Sequence, residues 1–222
     1  MKKILVIAVH PDDETLGCGG TLLKHKMLGD STYWLILTRP NEKINHIENI
    51  DAIESENIQK VAKAYSFTSF TQLDLLTTAL DTYPIGDLIQ KIAKVINEIK
   101  PQIIYFQHYG DVHTDHRVAF EAIYSCTKNF RFPFIEKLLL FETLSETEFA
   151  PANSNNAFVP NTFSDISDHL EKKLEIMQYY NTEIMEEPFP RSLSSIRALS
   201  RFRGSRIGVT YAEAFITLYD KF

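Results

Sequence analysis

The chain is short of cysteine, of positive charge and of long apolar runs, and each shortage removes a class of protein. Only Cys18 and Cys126 occur in 222 residues. Two thiols cannot build a disulfide scaffold, so both are expected to stay reduced and the chain to work in the cytoplasm. Lys and Arg number 23 against 29 Asp and Glu, a formal net charge of -6. That balance argues against a nucleic-acid partner held by general positive potential and points to a small molecule, leaving room for a local basic patch. No stretch approaches the roughly 18 uninterrupted apolar residues of a spanning helix, so no membrane anchor is expected. Met1-Lys2-Lys3 before an apolar run has the outline of a signal peptide. The run is short, however, and ends in His10-Pro11-Asp12-Asp13 where small cleavage-site residues would stand. There is no internal repeat and no low-complexity tract.

What is present is enough for a core: 44% of residues are hydrophobic and 12% aromatic. Apolar strands are predicted over 4–9, 33–38, 67–70, 102–106 and 135–141. Helices are predicted over 15–28, 46–65 and 84–100, and from His116 to about Lys128. The 84–100 helix sets Ile85, Leu88, Ile89, Ile92, Val95, Ile96 and Ile99 on one face, with Pro84 suited to its first turn and Pro101 forcing its stop. Residues 150–164 read as a loop and a candidate lid, 168–180 and 193–203 as helices, and 209–219 as a last helix or strand. Alternating strands and helices imply an α/β fold, a Rossmann-like three-layer α/β/α sandwich with a mostly parallel sheet. The expected organisation is one domain over 1–222, with 150–222 as a C-terminal lid or substrate-side extension.

The first strand runs straight into His10-Pro11-Asp12-Asp13-Glu14, and the 102–106 strand into His108-Tyr109-Gly110-Asp111-Val112-His113-Thr114-Asp115-His116. Ligands of open α/β sheets bind beyond the carboxyl ends of strands, so both clusters are expected at one edge. Adjacent carboxylates repel unless a cation lies between them. His10, Asp13 and His116 offer the imidazole and carboxylate donors of a catalytic zinc site, one ion per chain, with iron(II) or cobalt(II) as substitutes. Asp12 is then left to take a proton from water activated by the metal. His113, as an imidazolium, is the candidate to stabilise an oxyanion, and Asp115 to orient His113 or His116. Either Asp12 or His113 would protonate the departing amine.

These two motifs together resemble the PIG-L/LmbE-like zinc N-deacetylases. The resemblance continues, in order, through Phe158-Val159-Pro160-Asn161, Asp165-Ile166-Ser167, Pro190-Arg191-Ser192 and Arg203-Gly204 to Ala212-Glu213-Ala214-Phe215. It implies that His10, Asp13 and His116 bind zinc, that Asp12 is the general base, and that His113 is the electrostatic catalyst. It also implies the substrate class, an N-acetylated amino sugar of N-acetylglucosamine type, free, conjugated or nucleotide-linked. Arg191 is the preferred anion contact through its place in the motif. The chain departs from the family pattern at Ile53-Glu54-Ser55-Glu56, which has the acid but not the preceding arginine pair of many members.

Two rival readings stand beside this one. The same activated water could cut another amide or an ester. Alternatively, the sheet could serve a nucleotide-binding module without chemistry, and Gly17-Cys18-Gly19-Gly20 invites that thought. The dinucleotide fingerprint must follow the strand directly, and here it does not, so these glycines are expected to let the first helix approach the sheet closely. Arg191, Arg197, Arg201, Arg203 and Arg206 form a basic run suited either to a phosphate or to nearby acids such as Glu186 and Glu187. A homo-oligomer is compatible with everything above.

Overall fold

The computed structural model describes residues 1–44, 46–151, 153 and 155–221. The first half of the chain builds β1 (Lys3–Ala8), α1 (Asp13–Met27), β2 (Ser31–Arg39), α2 (Ile50–Tyr65), β3 (Ser69–Leu76), a 3-10 turn at Leu80–Thr82, α3 (Ile85–Ile99) and β4 (Ile103–Gln107). The second half adds α4 (Thr114–Ser125), β5 (Lys137–Phe141), β6 (Thr162–Asp165), α5 (Leu170–Met177), α6 (Leu193–Ser205) and β7 (Ala212–Asp220). One seven-stranded sheet results, in the order β3-β2-β1-β4-β5-β7-β6. β1 to β5 pair in parallel, and β7 lies antiparallel between β5 and β6.

Because successive strand residues point to opposite faces, the apolar run of β1 from Ile4 onward feeds two cores at once. Ile4, Val6 and Ala8 pack with Leu22 of α1, Val61 of α2, Leu174 of α5 and Ile196 of α6. Leu5, Ile7 and Val9 pack with Leu88 and Ile92 of α3 and Ala119 and Ile123 of α4. The architecture is therefore the expected three-layer α/β/α sandwich.

Differences from the sequence reading fall at sheet edges. β3 runs to Leu76 and is largely exposed, and β6 occupies the end of the expected 150–164 loop. Both are polar edge strands held by backbone pairing, which leaves no apolar run to mark them. The 209–219 segment resolves as the strand β7. α2 begins at Ile50 rather than near His46, after Asn49 takes a left-handed φ of 59°.

α1 breaks at Cys18 (φ -145°, ψ 19°). Two buried charges mend the break. Gly20 and Thr21 donate their freed N–H groups to the Glu213 carboxylate at 2.8 and 2.7 Å, and Lys173 Nζ donates to the Leu16 carbonyl at 2.9 Å and to Glu213 at 2.7 Å. Gly17 lets this helix start press on the sheet, since a Cβ there would stand 2.1 Å from the Phe141 ring. The segment carrying Asp12 and Asp13 is thus clamped from below.

Candidate metal centre and active-site cleft

β1 and β4 are neighbours where the strand order reverses, the chain winding to β2 and β3 on one side and to β4 and β5 on the other. Loops leaving the carboxyl ends of two such strands diverge and open a crevice. Residues about a hundred positions apart meet in it.

Asp12 sits at φ 126°, ψ -29°, backbone that a side chain rarely adopts. Its N–H donates to Glu14 Oε2 at 3.2 Å, and its carbonyl accepts from Thr15 N and Leu16 N at 3.0 and 2.8 Å. The turn closes when Asp13 Oδ2 accepts from the N–H groups of Val9 and His10 at 3.0 and 2.8 Å. Asp13 is thereby directed at the imidazoles.

His116, fully buried in the first turn of α4, brings Nε2 to 3.4 Å from Asp13 Oδ2 and 3.3 Å from His10 Nδ1. The outer nitrogens are engaged: His116 Nδ1 donates to Asp111 Oδ2 at 2.8 Å, and His10 Nε2 to Asp115 Oδ2 at 3.2 Å. Outward donation sets the tautomers, so the two nitrogens facing each other present lone pairs. Lone pairs at that separation beside a carboxylate repel, and a divalent cation among them turns repulsion into coordination. The donor set therefore fits the metal. His10, His113 and Asp115 also lie close enough to form a metal-binding group. Their atoms are spent elsewhere: Asp115 accepts from the N–H groups of Thr78 and Leu80 at 2.6 and 3.1 Å, and His113 Nδ1 accepts from Asp115 N at 3.1 Å, capping α4.

Two expected roles change hands. The Asp115 carboxylate anchors His10 rather than His113 or His116, and only its main-chain N–H touches His113. His116 is oriented by Asp111, which the sequence does not single out because nothing in an acid-rich loop marks one carboxylate above another. Asp111 is in turn held by Thr147 Oγ1 at 2.7 Å. Asp111→Ala is expected to weaken divalent-metal binding about 10- to 100-fold; a metal titration giving the wild-type affinity would refute this role.

A cleft of about 220 Å³ opens over these groups. His10, Asp12, Asp13, His113 and His116 form its floor, and α2, the loop after β5 and the loop after α5 its walls. Among the described residues none of 150–164 lines it. Arg191 does line it. Its Nη1 donates to Asp12 Oδ2 at 3.0 Å and to Glu183 Oε2 at 2.9 Å. Of the rest of the basic run, Arg197 is bonded to Glu171, and Arg203 to Glu142 at 2.8 and 2.6 Å.

Burial and the neighbouring Asp13 charge hold the Asp12 carboxyl well above the ordinary range, against the opposing pull of Arg191. Burial would raise Asp13 as well, but His116 and His10 outweigh it and keep that group ionised. Burial and the adjacent imidazoles push His113 down to about 4. His113 is thus a neutral imidazole whose Nδ1 lone pair serves as a helix cap, leaving Nε2–H to donate; the expected imidazolium gives way to this form.

Glu14, buried beneath the site, accepts from Thr15 Oγ1 at 2.6 Å and Tyr180 Oη at 2.8 Å, and burial raises it to about 7. A carboxyl raised on folding contributes stability in full below its unfolded value near 4.5 and loses it as pH climbs through about 7. The melting temperature is accordingly expected to fall between about pH 5 and pH 8. Glu14→Gln should flatten that slope, and an unchanged slope would rule Glu14 out as its source.

Comparison with known proteins agrees with this fold. The chain is 25% identical to the diacetylchitobiose deacetylase of Thermococcus kodakarensis over 96% of its own length and 82% of that protein's. It is 22% identical to a probable N-acetyl-alpha-D-glucosaminyl L-malate deacetylase of Bacillus anthracis, over 82% of this chain and 81% of the relative. Its fold superposes on a conserved protein of Thermus thermophilus with a TM-score of 0.79 at 24% identity, covering 100% and 97% of the two chains. The family model described as GlcNAc-PI de-N-acetylase, PIG-L, matches residues 5–127, more than half of the sequence, and the chain belongs to that family.

Proposed function

We propose that this protein is a zinc-dependent hydrolase that removes the acetyl group from an N-acetylated amino sugar. The observation that carries the reading is the placing of Asp12: a buried, non-ligating carboxylate of raised pKa beside a two-imidazole, one-carboxylate donor set, at the floor of a cleft.

His10, Asp13 and His116 would hold the cation, which when bound supplies Lewis acidity, acidifying water and polarising a carbonyl. Iron(II) or cobalt(II) suits the same donors. Asp12 takes the proton of the attacking water, and the Arg191 guanidinium on its Oδ2 opposes the rise that burial and Asp13 impose on it. His113 Nε2–H, aimed by the cap at Nδ1, donates to the oxygen that gains charge as the amide carbon becomes tetrahedral. A neutral imidazole is a poor acid, so Asp12 returns the proton to the leaving amine. Residues 150–222 serve the substrate side through Thr182, Glu183 and Arg191.

Arg191 therefore acts on the base. Arg191→Ala should move the acid limb of the kcat/KM profile to higher pH, because the counter-charge that lowers Asp12 is lost. A uniform loss at every pH would assign Arg191 to substrate instead.

Acetate release from N-acetylated sugars by the metal-loaded chain, abolished by chelator and restored by zinc, tests the whole reading. Hydrolysis confined to other amides or esters would favour the broader alternative, and nucleotide affinity indifferent to chelation with no acetate release would favour a binding module.

A further inference from the structure

The cleft is more acidic than hydrolysis requires. Beyond Asp12 and Asp13, three carboxylates from three separate segments line it: Glu54 on α2, Glu146 in the loop after β5, and Glu183 in the loop after α5. Among the described lining residues Arg191 is the single Lys or Arg, and it is already engaged with Asp12 and Glu183. Among the described residues Glu54 accepts an amide hydrogen bond from Gln72 Nε2 at 3.2 Å, and Glu146 one from the Ser145 hydroxyl at 3.2 Å. Neither is bonded to a cationic side chain among the described residues. Half-burial of carboxylates is costly: it pushes Glu54 up to about 7 and raises Glu146 against the opposing pull of His116 and His10. Thr143 adds an independent sign of a missing ligand: it lines the same cleft, is 2% exposed, and its Oγ1 has no hydrogen-bond partner.

We infer, resting on the reading of the chain as an amino-sugar deacetylase, that its substrate carries a protonated primary amine beside the N-acetyl sugar, and that Glu54 and Glu146 select that charge. A glucosamine oligosaccharide with some amino groups already free has this chemistry. A phosphate, nucleotide or carboxylate placed away from the metal group meets Glu54, Glu146 and Glu183 and one occupied guanidinium. Hydrolysis consumes one amide and one water and yields acetate and a protonated amine. Each turnover thus creates on the sugar chain the charge that the cleft favours for the next.

The metal-loaded protein is given three matched compounds: a glucosamine–N-acetylglucosamine disaccharide, its fully N-acetylated counterpart, and N-acetylglucosamine 1-phosphate. Acetate release at low ionic strength should rank them in that order, with kcat/KM at least about tenfold apart between the first and last, and the spread should shrink in salt. Glu54→Gln with Glu146→Gln should lower kcat/KM for the amine-bearing disaccharide about tenfold more than for the neutral one, through KM. Equal rates, a preference for the phosphate, or equal losses on both disaccharides would overturn the inference. Calorimetric binding of a fully deacetylated glucosamine oligomer separates the two readings. Salt-sensitive binding that the double variant loses, without acetate release from any sugar, upholds charge selection and refutes deacetylation. Acetate release without such binding refutes charge selection alone.

Discussion

Asp12→Ala is expected to lower kcat by about 10²- to 10⁴-fold, the usual worth of a positioned general base, with KM and metal content close to wild type. The three donor atoms belong to His10, Asp13 and His116, so removing the Asp12 carboxylate takes nothing from them. What is lost is the proton acceptor, together with the partner of Arg191. Asp12→Asn separates these two losses, since an amide oxygen still accepts from Arg191 but cannot take a proton at neutral pH. Both variants should therefore be inactive while Asn keeps the wild-type melting temperature. If either variant loses metal along with activity, Asp12 is a ligand and the assignment of roles falls.

His116→Ala should reduce metal content from about one ion per chain to background and activity with it. His116 sits between Asp13 and Asp111 with no exposed surface, so its removal also strands two buried carboxylates. Leaving a buried hydrogen-bonding group unsatisfied costs about 1–3 kcal/mol, more when it is charged, against a total stability of about 5–15 kcal/mol for a domain. A folded but less stable protein is the expected result. The register of β1 on β4, which aligns the two loops, is made by strands buried on both faces and does not pass through His116. Metal analysis and a circular-dichroism melt check both halves: retained metal contradicts the donor set, and a chain unfolded at room temperature contradicts the independence of sheet and site.

Much of this molecule is legible in one dimension because its strands are buried on both faces. Apolar runs at 4–9, 103–106 and 138–141 announce a parallel sheet, and the groups placed just after the first two of them announce a site. The periodicity of 84–100 places α3 within a residue at each end. Where burial is partial the signal disappears. β6 and the part of β3 beyond Phe70 are polar edges recognised only by backbone pairing, and the kink at Cys18 depends on Lys173 and Glu213, which lie far along the chain.

The order of residues alone established the α/β class, the carboxyl-edge location and the chemical kinds gathered there, since burial pattern and ligand chemistry are properties of local sequence. Which carboxylate serves which imidazole belonged to the folded chain. Asp111 reaches His116, Asp115 reaches His10, and Arg191 reaches Asp12 from 179 positions away. Hydrogen bonds act over about 3 Å, and a distance of that size between remote residues exists only once the sheet has brought their loops to one rim.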